Sequence, residues 1–176
     1  MRVSDAALDR ETILLLLEEL GKDLDRRGIR GEMFVVGGAA MALAYNSRRS
    51  TRDVDAVFEP KTTLYDTAAT VGERHGLRPG WLNDSVEGLL PGPDPSPREL
   101  VEVPGLRVSV ASAGYLLALK VAAARVDRDA DDIEILAAAC GLRSARQVLD
   151  HTQRVFGNDR VMLPKVQYLV EELFPE

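Results

Sequence analysis

The chain has 176 residues, enough for one compact domain with a small helical extension, and its 45% hydrophobic and 28% charged content is that of a folded rather than a disordered protein. A net charge of -6, from 22 basic and 28 acidic side chains, excludes indiscriminate coating of nucleic acid and leaves room only for a local basic patch. No window approaches the ~18 apolar residues of a membrane span, the start MRVSDAALDRET lacks a signal-peptide core, and the single cysteine, Cys140, has no internal partner, so a cytoplasmic protein without membrane contact is expected.

Residues 5 to 27 read as a helix, because Ile13, Leu16, Leu17, Leu20 and Leu24 recur at three- and four-residue steps. Ser4 is the expected N-cap and Gly28 the expected end. Met33 to Val36 reads as a strand broken by Gly37 and Gly38, followed by a small-residue helix from Ala39 to Tyr45. Val54 to Phe58 reads as a second strand stopped by Pro60, and 62 to 75 as a helix ended by Gly76. Residues 79 to 99, rich in proline and glycine, read as a long loop with one helical turn in WLNDSVEGLL. Leu100 to Val103 and Leu106 to Val110 flank Pro104-Gly105, a hairpin signal. Helices then follow: from Ser112 to about Arg125, from about Asp129 to Cys140, from a Ser144/Gln147 capping box to about Phe156, and from Pro164 onward. The expected organisation is an α/β core over 1–111 and a helical part over 112–176 packed on it as one unit.

Four features in this order bear chemistry. Gly37-Gly38 lets backbone approach a ligand and leaves helix N–H groups for an anion, or is simply a tight strand-to-helix turn. Asp53 and Asp55, two apart on a strand, share one face with Val54 turned inward. Close like charges call for neutralisation, by a divalent cation with oxygen ligands or by Arg48, Arg49 or Arg52. Lys120, in YLLALKVAAA, has a covered stem whose ammonium must reach water, an acid or a phosphate. The aspartates of DRDADDIEIL are either a solvated helix start, where negative charge suits the dipole, or working acids. His75 and His151 lack metal-ligand spacing.

GG followed by Asp53-Val54-Asp55-Ala56-Val57 resembles the signature of the nucleotidyltransferase (polymerase-β-like) superfamily, and GGAAMALAY with RSTRDVD resembles its AbiEii/MenT-type toxin-like branch. The resemblance implies a minimal mixed sheet flanked by helices with a C-terminal helical bundle, an α/β (α+β) fold. It implies that Asp53 and Asp55 hold Mg²⁺, as a two-ion site, and that Gly37, Gly38, Arg49, Thr51 and Lys120 bind the triphosphate of an NTP. Asp132 matches the catalytic acid of an Arg-Asp-x-x-Asp element, with Asp129 second and Asp131 beside them. Glu102 and Asp84 are candidates for a further carboxylate, and Gly38 stands where many superfamily members have serine. The implied activity is transfer of a nucleoside monophosphate to an acceptor hydroxyl: the 3′ end of tRNA, for a toxin held by an antitoxin, or alternatively an antibiotic or a partner protein. A non-catalytic nucleotide-binding protein is the remaining reading.

Overall fold

The computed structural model describes residues 6–123, 125–157 and 163–176. The chain divides into two compact units, one of residues 1–89 and 96–111, the other of residues 90–95 and 112–176. Among the described residues no helix is long and apolar enough to cross a membrane.

The first unit is an α/β layer. Helix α1 (Arg10–Arg26) is capped by Asp9, whose carboxylate accepts from Thr12 N at 2.8 Å. The expected cap, Ser4, lies outside the described residues. Gly28, at φ +67, follows the helix end as expected. Strand β1 (Gly31–Val35) leads into α2 (Gly37–Ala40), which continues as a π-helical turn over Met41–Tyr45. Strand β2 (Val54–Glu59), helix α3 (Lys61–His75), strand β3 (Leu82–Asn83), a 3-10 turn at Glu87–Leu89 and the strands β4 (Arg98–Val103) and β5 (Leu106–Val110) complete the unit.

The mixed sheet has the order β3-β2-β1-β5-β4. β1 is antiparallel to β2 and parallel to β5, β2 is parallel to β3, and β4 and β5 form the expected hairpin. The alternation of the sequence decides the faces. Met33, Val35, Ala56, Phe58, Leu106, Val108 and Val110 are buried, and α1 packs on β5 and α3 on β2. The opposite face presents Phe34, Asp55, Val57 and Ser109, all half-buried. There a cavity of about 390 Å³ is floored by Phe34, Val57 and Ser109 and rimmed by Glu32, Glu59, Glu99 and Arg107.

The second unit is helical: α4 (Ala113–Ala123), α5 (Val126–Ala139), α6 (Ala145–Phe156) and α7 (Pro164–Leu173). Leu116, Leu117, Val121, Ile133, Leu136, Val148, Val166 and Leu169 form its core. Ser144 caps α6 by accepting from Gln147 N, while Gln147 Oε1 accepts from Arg143 N rather than from the cap residue itself. Residues 90–95 belong here because Asp94 accepts from Ser112 N at 2.6 Å and Ser112 Oγ at 2.8 Å, and the Tyr115 hydroxyl donates to Gly92 O.

Candidate active-site residues

In the first unit, Gly37, Gly38, Thr51 and Asp55 meet at the start of α2. Val36 is extended and donates its N–H to Asp55 O at 3.0 Å, carrying the β1–β2 ladder one step past the strand. Gly37 then takes φ +64, a conformation that disfavours any residue with a Cβ. A Cβ at Gly37 would lie 3.2 Å from Asp55 Oδ2, and one at Gly38 would lie 2.9 Å from Thr51 Oγ1. The glycines therefore form the first turn of the helix rather than preceding it. Two other side chains fill the space their own would take. Val36 makes no capping hydrogen bond through its side chain, so an anion can serve the first-turn N–H groups that a polar cap would otherwise serve.

Thr51 is fixed by a backbone bridge to Leu8, and its hydroxyl donates to Asp53 O at 3.1 Å. Val54 is fully buried and donates its N–H to Trp81 O. Asp53 and Asp55 on either side are half-buried, the alternation expected of residues facing away from the core. Arg49 is also half-buried. The guanidinium that reaches Asp53 is not one of the expected three. It is that of Arg78, whose Nη2 donates to Asp53 Oδ2 at 3.4 Å. Arg78 opens a turn with Pro79 and with Gly80 at φ +79, closed by Trp81 N donating to Arg78 O. That pattern is a type II turn. The Arg-Pro-Gly-Trp string was the available signal.

Of the candidates for a further carboxylate, Asp84 is already engaged. Lys61 Nζ lies 2.7 Å from its Oδ2 and the Tyr65 hydroxyl donates to its Oδ1. Lys61 first, then Tyr65, holds the Asp84 carboxyl below the usual carboxylate range, and the same contact with Asp84 raises the Tyr65 phenol. Glu102 is described by its backbone alone, paired with Arg107. Among the described residues no group of three or more acidic, histidine or cysteine side chains could hold a metal ion. The donor set at this site is thus two hard carboxylates beside a glycine cradle. That suits Mg²⁺, which takes one or two carboxylates and completes its shell with phosphate oxygens and water.

In the second unit, α4 and α5 bring Lys120, Asp129 and Asp132 together. Lys120 Nζ donates to Asp129 Oδ1 at 2.8 Å and lies 2.9 Å from Asp132 Oδ2. All three are buried, Asp132 to 1% exposure. Three residues apart on one helix, the two aspartates share a face. Asp131 is exposed. The lysine does not snorkel to water, and Asp129 does not cap α5, whose N-cap is Arg125. His151 Nε2 lies 2.8 Å from Gly114 O, and burial pushes the Cys140 thiol up.

A family model described as "Nucleotidyltransferase of unknown function (DUF6036)" matches residues 11–156. The chain belongs to this nucleotidyltransferase family. The match takes in every candidate residue of both units and ends with α6. The DUF6036 description names no acceptor. No curated protein and no solved structure matches the chain.

Proposed function

We propose that this DUF6036 member is a Mg²⁺-dependent nucleotidyltransferase that moves a nucleoside monophosphate from an NTP to an acceptor hydroxyl. The observation that supports it most is the close approach of Asp55 Oδ2 to Gly37, which sets a carboxylate against a turn able to take phosphate. Asp53 and Asp55 would hold Mg²⁺, which when bound supplies neutralisation of the phosphates and activation of the hydroxyl. The amides of Gly37 and Gly38, with Thr51 and Arg49, would orient the triphosphate. The acceptor oxygen bonds to the α-phosphorus, the bond from that phosphorus to the bridging oxygen breaks, and pyrophosphate leaves with the electron pair. The acceptor proton passes to a carboxylate base. The family resemblance supports Asp132 for that role and Lys120 for phosphate, and within the helical unit their ion pair holds Asp132 in one orientation.

For the acceptor we propose the 3′ end of tRNA, and for the protein the role of a toxin held by a cognate antitoxin. The likeness of GGAAMALAY and RSTRDVD to the AbiEii/MenT-type branch supports this, as does the arginine cluster at 48, 49 and 52. The glutamates rimming the 390 Å³ cavity disfavour an RNA backbone lying across the open sheet face. An antibiotic or a partner protein is the alternative acceptor. Incubation with each labelled NTP, Mg²⁺ and total tRNA tests the reading. Label in tRNA is the expected result. Label in another acceptor instead removes the tRNA assignment, and absence of any NTP turnover removes the enzyme.

A further inference from the structure

The metal reading leaves one charged group at the site without a role. Arg78 Nη2 stands beside Oδ2 of Asp53, a carboxylate assigned to Mg²⁺, so it and the cation compete for the same carboxylate. Its place is built. The Pro79–Gly80 turn fixes its backbone, Trp81 anchors the turn through its buried indole, which donates to Ala68 O at 2.8 Å, and Trp81 O receives Val54 N. The guanidinium is therefore delivered next to the residue that precedes Val54. Yet its grip is slack. The 3.4 Å contact is longer than an ordinary hydrogen bond, and the Arg78 and Asp53 side chains remain 38% and 34% exposed. Such a pair is weak by comparison with the Lys120 cluster. It neutralises Asp53 without committing it.

We propose that Arg78 is a positioning residue that stands in for the metal: it holds the Asp53 carboxylate while no cation is bound, and a divalent ion binds by displacing it. This rests on the metal reading above. A cation at Asp53 meets a competing positive group a few ångströms away, so removing that group tightens metal binding even with no nucleotide present.

The experiment is a titration of the full chain with Mn²⁺ and no nucleotide, followed by the loss of the free-ion paramagnetic resonance signal. The proteins are wild type, Arg78→Gln, Arg78→Met, Arg78→Lys and Asp53→Asn, each checked for a cooperative melt. Arg78→Gln and Arg78→Met are expected to bind Mn²⁺ about tenfold more tightly than wild type, from a +1 and a +2 charge brought close in a solvated site. Arg78→Lys restores most of the wild-type value, and Asp53→Asn loses the site. A purely structural role for Arg78 would leave affinity unchanged or lower it. That result, with Asp53-dependent binding intact in wild type, overturns the proposal alone. No Asp53-dependent binding in wild type or in either neutral variant overturns the metal reading and this inference together.

Discussion

Replacing Lys120 by Met is the sharpest test of the helical unit. Methionine keeps most of the apolar stem, so the packing around a residue 7% exposed is largely preserved. What disappears is the ammonium and its contacts of 2.8 Å to Asp129 and 2.9 Å to Asp132. Two buried carboxylates then face each other without their cation. Removing one partner of a buried ionic cluster costs about 3–5 kcal/mol, because the remaining charge stays desolvated. Against a total stability of about 5–15 kcal/mol, that leaves a marginal protein. Urea denaturation followed by circular dichroism reads the difference from the shift in midpoint at constant slope. Lys120→Met/Asp132→Leu is expected to recover part of the loss, since it removes a stranded charge together with its partner. Asp131→Asn, on the exposed side of α5, is the control and should stay within about 0.5 kcal/mol. A loss below about 1 kcal/mol for Lys120→Met would show that the cluster is hydrated, and the account of Lys120 as a buried counter-ion would fall.

On the proposed metal reading, Asp55→Asn, checked for a cooperative melt, should lower nucleotide transfer by about 10²-fold or more, since a bound metal would supply several kcal/mol to the transition state; comparable activity with a labelled NTP would exclude Asp55 as a ligand. Gly38→Ser puts a Cβ 2.9 Å from Thr51 Oγ1 and should cost about 1–3 kcal/mol by overpacking, partly recovered in Gly38→Ser/Thr51→Ala; a neutral single variant in thermal melts would mean that Thr51 moves aside freely. For Asp84, the folded carboxyl titrates below its ordinary value of 3.8 because of Lys61 and Tyr65. Its contribution to stability is therefore present above pH ~4 and fades as pH falls through the lower folded value. The melting-temperature gap between wild type and Asp84→Asn should accordingly be full at pH 7 and close as pH falls below the ordinary 3.8, and a gap that widens on acidification would contradict the assigned partners.

Much of this fold was legible because its signals are local. The apolar steps of α1, the Gly76 end of α3, the Pro104-Gly105 hairpin and the Ser144 cap each depend on residues within one turn of each other. The start of α1 is ambiguous in sequence because three cap-forming residues, Ser4, Asp5 and Asp9, precede the apolar stripe, and only the structure shows Asp9 accepting from Thr12. Strand β3 leaves no signal in the sequence because two residues carry no periodicity; it exists through pairing of Leu82 and Asn83 with Val54 and Asp55. The site divides in the same way. Asp53, Asp55 and the glycines lie within one motif, whereas the hold of Arg78 on Asp53 spans 25 residues and the contact of Thr51 with Gly38 depends on a loop closing back. Neither follows from spacing alone.

The strand order has a consequence for how the protein is made. β5 lies between β1 and β4, yet it is the last strand in sequence. During synthesis the β1–β2 pair, with the glycine turn at its end, emerges more than forty residues before its other neighbour, measured from Glu59 to Leu106. Until then one edge of β1 shows unpaired N–H and C=O groups, a surface that invites pairing with other chains. The chain is therefore most vulnerable to aggregation while the proline-rich segment is still leaving the ribosome, and slow translation there would lengthen that exposure.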